Sequence, residues 1–80
     1  MLKNNDSIKT VTLMDGGDQS KVTGNCKITG EEYSCIVPTR GLEAWLDGEF
    51  IQRAMPSVSA DDREFLISGM SPKGWNIMFG

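Results

Sequence analysis

Residues 21–29 read Lys-Val-Thr-Gly-Asn-Cys-Lys-Ile-Thr, and this stretch decides the fold because two sets of side chains alternate along it. Successive side chains of a β-strand point to opposite faces, so this alternation predicts a strand with one buried face. Residues 32–37 repeat the pattern, and Gly30-Glu31 between the two stretches suits a two-residue turn. The sequence therefore predicts an antiparallel hairpin.

A two-residue turn at residues 30 and 31 fixes the register of this hairpin. It places Cys26 opposite Cys35 and Ile28 opposite Tyr33, with all four side chains on the apolar face. Pairs of this kind bring Cα atoms to about 4.5 Å, so oxidation could bridge the two thiols. In a reducing cell we expect both cysteines to be reduced and packed as small apolar side chains.

A third strand precedes the hairpin. Residues 8–14 are rich in β-branched side chains and are followed by the turn sequence Asp-Gly-Gly-Asp. A turn centred on Gly16-Gly17 places Val11 opposite Val22 and continues the apolar face, with Leu13, across all three strands. The prediction is a three-stranded antiparallel meander over residues 8–14, 21–29 and 32–37.

After Pro38 the apolar residues recur at helical spacing. Ser59 has the character of a helix N-cap, Ser71-Pro72 of a second helix start, and Gly48 either kinks or breaks the helical segment around it. We expect helices over residues 40–47, 49–55, 60–68 and 72–79 that cover one face of the sheet, which is an α+β architecture. Their rings are expected mainly in the core: Trp45, Phe50, Phe65, Trp75 and Phe79.

The amino-acid composition limits the classes of function that we expect for this protein. The chain has 80 residues, the size of one small domain, so we assign residues 1–80 to a single domain. It contains no histidine, which excludes imidazole-dependent catalysis and histidine-bearing zinc sites. The net charge of −3, with scattered cations, disfavours nucleic-acid binding. We expect a protein that is not an enzyme and that needs no metal or cofactor.

Apolar runs are short throughout the sequence. Even Ile77-Met78-Phe79 falls far below the length that a signal peptide or a membrane-spanning helix requires. The expectation is a cytoplasmic protein without a membrane partner.

Two kinds of surface residue are candidates for partner binding. Carboxylates at the hairpin turn and around Gly48 could steer a basic protein surface towards the chain, and apolar side chains on the uncovered sheet face could bind a partner or a second copy. These candidates are Glu31, Glu32, Asp47 and Glu49 for the acidic set, and Met14 and Ile36 for the apolar set. An alternative function is small-molecule binding in a pocket between sheet and helices, lined by Tyr33, Trp45 and Trp75.

The helical half carries a resemblance to a known group of proteins. Residues 59–69, Ser-Ala-Asp-Asp-Arg-Glu-Phe-Leu-Ile-Ser-Gly, followed by Pro72, Trp75 and Phe79, resemble the C-terminal signature of small uncharacterised proteins of tailed bacteriophages. Residues 45–56 look similar to the segment that precedes this signature, and the resemblance extends over residues 22–80. It implies a phage accessory protein and carries over no activity, ligand or site residue.

Composition and resemblance together favour a binding module over an enzyme. The expected function is to bind a host protein with a basic surface and to inhibit or redirect it, a defence complex such as a CRISPR effector being one candidate. The expected location is the cytoplasm of the bacterial host.

Overall fold

The computed structural model describes residues 5–80, which form a three-stranded sheet followed by four helices. The strands are antiparallel and lie in the order β1-β2-β3, with a short 3-10 turn at Asp15–Gly17 between the first two. This arrangement confirms the predicted α+β meander. The elements are β1 (Ile8–Met14), β2 (Gln19–Asn25), β3 (Glu32–Pro38), α1 (Thr39–Leu46), α2 (Ile51–Ala54), α3 (Ala60–Ser68) and α4 (Pro72–Phe79).

The core lies between one face of the sheet and the helices. Val22 and Val37 have no exposed surface, whereas Lys21 and Ile36 on the opposite face are exposed, as the alternation of side chains requires. Helices α1 to α3 complete the core with their apolar sides. Its main helical members are Leu42, Trp45, Ile51, Phe65 and Leu66, joined by Met55 and Val58 from the connecting segments.

The predicted hairpin register is wrong by four residues. Val22, rather than Cys26, lies opposite Cys35, and Gly24 lies opposite Tyr33. Strand β2 accordingly spans Gln19–Asn25 instead of residues 21–29. A shift by an even number keeps the side chains within β2 on their predicted faces, so Val22 and Gly24 are buried as expected. Ile28, expected on the apolar face opposite Tyr33, instead lies in the loop and is 36 % exposed.

A contact with the end of helix α3 explains why the pairing between β2 and β3 ends before the predicted turn. The backbone N–H of Lys27 donates to the carbonyl of Gly69 at the end of α3 (3.0 Å), so it is not available to extend the ladder. The two strands instead close through the N–H of Cys26 and the carbonyl of Glu31 (2.9 Å). Cys26 therefore lies roughly 13 Å along the sheet from the level of Cys35, too far for a disulfide. Both cysteines are free and buried.

Strand β1 pairs with β2 as predicted but is poorly covered. Val11 does lie opposite Val22, yet Val11 is 43 % exposed and Leu13 is 64 % exposed. Helix α1 packs against β3 and β2, and this leaves the apolar side of β1 largely uncovered.

Gly48 ends the first helix rather than kinking it. Its φ of 115° is open to glycine and strained for other residues, and α1 stops at Leu46 before it. Phe50 then has extended backbone angles, so α2 is one turn at Ile51–Ala54 instead of the predicted 49–55. Phe50 is 68 % exposed, which contradicts its expected place in the core.

Candidate functional site

Helix α4 is held to the rest of the domain at its first turn. The Ser71 side chain caps the helix by accepting from the N–H of Gly74 (3.2 Å), and Pro72 occupies the first turn. Gly74 is buried against the β2–β3 loop so closely that a Cβ there would lie 2.5 Å from the Cys26 sulfur. Only glycine lets the helix backbone approach the loop to this distance.

The second half of α4 is apolar and exposed. Ile77 and Met78 follow Gly74 by three and four residues and share its side of the helix, yet they are 62 % and 54 % exposed. The helix therefore extends beyond the loop on which it rests. The rings of Trp75 and Phe79 pack against each other at a tilt of 47°, with centroids 4.5 Å apart. We call the set Trp75, Ile77, Met78 and Phe79, which are 41–63 % exposed, the α4 apolar surface.

A cleft of about 240 Å³ opens beside this surface, between α3 and α4. One wall is acidic because Asp61 and Glu64 lie three residues apart on α3. The other wall is apolar and includes Trp75. We call this the α3–α4 cleft; its lining residues are Ala60, Asp61, Glu64, Met70, Pro72 and Trp75.

The acidic candidates from the sequence lie at two separate places. Glu31 forms an exposed ion pair with Lys73 of α4 (3.1 Å), and Glu32 is exposed at the start of β3. Asp47 is exposed at the end of α1, whereas Glu49 accepts from the N–H of Phe50 (3.0 Å) and lies 3.9 Å from Arg53. Two of the four carboxylates thus already have partners within the domain.

The apolar candidates Met14 and Ile36 lie on the sheet face away from the helices. Ile36 is 52 % exposed and Met14 is half-buried. Their neighbours on that face are mostly polar, among them Thr23 and Ser34, whose hydroxyls hydrogen-bond across the strands (2.9 Å). This face therefore offers less apolar surface than α4.

The three rings proposed to line a ligand pocket have different surroundings. Trp45 is buried in the core, Tyr33 packs on Phe65 with ring centroids 4.9 Å apart, and Trp75 lines the α3–α4 cleft. Trp75 and Phe79, expected mainly in the core, are instead exposed because α4 meets the domain through Gly74.

Tyr33 and Cys35 are two ionisable side chains of β3 at the edge of the core. The Tyr33 hydroxyl donates to Asp62 on α3 (2.5 Å). Burial, and then this bond to a carboxylate, raise the pKa of Tyr33 well above its usual value. Burial, together with the charge of Asp62, raises the pKa of Cys35 to about 12. Both groups are therefore neutral at pH 7.

The pKa of Cys26 is shifted in the opposite direction, below its usual value. Burial raises its pKa, but hydrogen bonds from the Ser71 side chain and backbone and from Thr29 together lower it to about 6. The Ser71 N–H lies 3.3 Å from the sulfur. The thiolate is therefore enclosed where α4 begins.

Sequence reasoning missed the acidic wall of the cleft. Asp61 and Glu64 at positions i and i+3 share one side of α3, and this spacing was visible in the sequence. It also missed the exposure of α4, where Trp75, Ile77, Met78 and Phe79 surround more of the helix than a single buried stripe requires. That wide apolar arc was the available signal.

No protein-family model matches the chain, and neither a curated protein nor a solved structure is similar to it. Within residues 5–80, no cluster of three or more potential metal-ligating side chains occurs. None of the helices in the same residues has the length and apolar character needed to cross a membrane.

Proposed function

We propose that the chain is a non-enzymatic protein-binding module that docks on a host protein through the α4 apolar surface and inhibits or redirects that protein. The observation that supports this is the exposure of four large apolar side chains on one eight-residue helix. Scattered exposed apolar residues are ordinary on proteins, but a contiguous group of this kind marks an interaction site.

The size of the surface supports a protein partner. Taking about 200 Å² for a large side chain, exposures of 41–63 % leave about 400 Å² of apolar area on α4. A standard interface buries about 800 Å² per partner, of which a little over half is apolar. The α4 apolar surface thus supplies most of the apolar area that one side of such an interface needs.

Charge favours a basic partner. The chain has a net charge of −3, and the α3–α4 cleft adds two carboxylates beside the apolar side chains. A second copy would bring the same negative charge, and an anionic lipid surface would repel it, whereas a basic protein surface would be attracted. The resemblance of residues 22–80 to phage accessory proteins supports a partner in the bacterial host, where a defence complex such as a CRISPR effector is a candidate.

Photo-crosslinking in host cells tests the docking surface. A benzophenone amino acid replaces Ile77 in the full chain, and a matched variant carries it at Thr12, which is exposed on β1. We expect a crosslinked host protein from position 77 and none from position 12. The purified partner should then bind the wild-type chain at least about tenfold more tightly than it binds Ile77→Ser, as the loss of one apolar anchor predicts.

Other crosslinking outcomes contradict the proposal. Crosslinks only to a second copy of the chain would assign α4 to self-association. A benzophenone at Ile36 that captures a partner, while position 77 captures none, would move the docking surface to the outer sheet face. Turnover of a substrate by the purified chain would contradict its assignment as a non-enzymatic protein.

A further inference from the structure

The α3–α4 cleft combines two kinds of wall. Asp61 and Glu64 place two carboxylates on the α3 side, while Trp75, Met70 and Pro72 form an apolar wall opposite. The Trp75 ring packs at a tilt against Phe79, with ring centroids 4.5 Å apart. A flat ring that faces carboxylates across a narrow space can accept a side chain that is apolar along its length and positive at its end.

The two carboxylates have no cationic partner within the described part of the chain. The ion pairs found in residues 5–80 are Lys73 with Glu31 and Arg53 with Glu49. Lys73 follows Pro72 at the edge of the cleft, but its ammonium group is directed to Glu31 on the hairpin loop. Among residues 5–80, therefore, no cation forms an ion pair with the carboxylates of the cleft.

We infer that the α3–α4 cleft binds an arginine side chain of the protein that docks on the α4 apolar surface. The methylene stem would lie against Trp75 and Met70, and the guanidinium group would meet Asp61 and Glu64. This inference rests on the proposed function, and it adds the chemistry by which the partner is recognised.

Arginine fits the cleft better than other occupants do. The cleft of about 240 Å³ has room for the seven heavy atoms of an arginine side chain. That volume is below the ~300–1,000 Å³ typical of small-molecule pockets. Compared with lysine, the guanidinium group is planar, stacks on aromatic rings and can bond two carboxylates at once.

A titration followed by NMR tests the cleft without a known partner. The probe is N-acetyl-arginine amide, and the control is N-acetyl-citrulline amide, which has nearly the same shape but no charge. We expect arginine to shift the indole N–H signal of Trp75 and the amide signals of Met70 and Glu64 in a saturable way. Citrulline should bind at least about tenfold more weakly, since it forms no charge-assisted bond.

Isosteric variants test the acidic wall. In Asp61→Asn/Glu64→Gln the shape of the cleft is retained, and arginine affinity should fall at least about tenfold. The matched control is Glu43→Gln, which removes an exposed charge on α1, and its affinity should stay within twofold of wild type. Unchanged amide spectra before titration show that each variant is folded.

The outcomes separate this inference from the proposed function. Equal shifts with arginine and citrulline, shifts that lie away from Trp75, or no saturable shift at the highest soluble concentration would each overturn the arginine site. If α4 still crosslinks a host protein in that case, the docking function stands and recognition is apolar only. If arginine binds but α4 crosslinks nothing, the cleft remains a cation site and the docking function fails.

Discussion

Helices α3 and α4 are both rich in large apolar residues, yet they use them in opposite ways. Phe65 and Leu66 of α3 are 0 % and 1 % exposed, whereas Phe79 and Ile77 of α4 are more than 60 % exposed. The difference lies in what each helix places against the domain, because α3 packs through large side chains and α4 through Gly74. A helix that makes contact through glycine approaches closely and leaves its large side chains exposed.

Removing a ring from the core should have the largest effect. Phe65→Ala leaves a cavity under Tyr33, and we expect it to lower the free energy of unfolding by about 3–5 kcal/mol. That loss approaches the whole stability of a small domain. Urea denaturation followed by circular dichroism measures it, with Phe79→Ala as the matched control. If both variants lose equal stability, the contrast between α3 and α4 is wrong.

A methyl group at Gly74, where α4 contacts the β2–β3 loop, should lower the free energy of unfolding by less than Phe65→Ala does. In Gly74→Ala the new Cβ would meet the Cys26 sulfur and Ile28, so we expect a loss of about 1–3 kcal/mol even though alanine favours helices. Asn76→Ala, on an exposed position of the same helix, should be neutral or slightly stabilising. Thermal denaturation of both variants compares them. Equal stability would show that α4 is not held at Gly74.

The bond between Tyr33 and Asp62 should contribute about 1 kcal/mol, measured as the loss in Tyr33→Phe at pH 7. Because the pKa of Tyr33 is raised in the folded state, its contribution is complete below the unfolded pKa of about 10 and declines above it. Wild-type stability should therefore decrease more steeply than that of Tyr33→Phe as the pH rises past 10. Parallel curves would contradict the raised pKa.

The Cys26 thiolate should stabilise the fold by about 1 kcal/mol at pH 7. Its pKa is lowered to about 6, so this contribution is complete above the unfolded pKa near 9 and is lost as the pH falls through 6. Absorbance at 240 nm in a Cys35→Ser variant follows the ionisation directly. A midpoint above 9 would mean that burial outweighs the hydrogen bonds from Ser71 and Thr29.

Changes on the α4 apolar surface should have the smallest effect on stability. Ile77→Ser removes an apolar side chain that is 62 % exposed, and we expect a change of less than about 0.5 kcal/mol in urea denaturation. The same variant should weaken partner binding, so the effects on stability and on binding are expected to separate on α4. A large loss of stability would place Ile77 in the core.

The elements could largely be predicted from the sequence, whereas the hairpin register could not. Alternation in residues 32–37 and helical spacing in residues 60–68 are local patterns, and the strands and helices match them within a few residues. The loop that replaces the predicted turn bonds through Lys27 to Gly69, which is far away in the chain. The local sequence pattern does not predict a hydrogen bond between residues so far apart.

The candidate site was only partly visible in the sequence. Trp75 was singled out, but as part of a pocket with Tyr33 and Trp45, which lie in other surroundings. Asp61 and Glu64 are unremarkable until α4 lies beside α3 and makes them one wall of a cleft.

The amino-acid sequence by itself determined the strands, the helices, the buried face of the sheet and the absence of imidazole chemistry, because periodicity and composition are properties of the chain. The tertiary structure alone decided which large apolar side chains of the helices are buried and which are exposed. It also placed Asn5, whose side chain is buried and donates to the carbonyls of Phe65 and Leu66 (2.9 and 2.8 Å). The physical reason is that burial depends on how closely two backbones can approach, and distant residues such as Gly74 and Cys26 set that distance only after they meet.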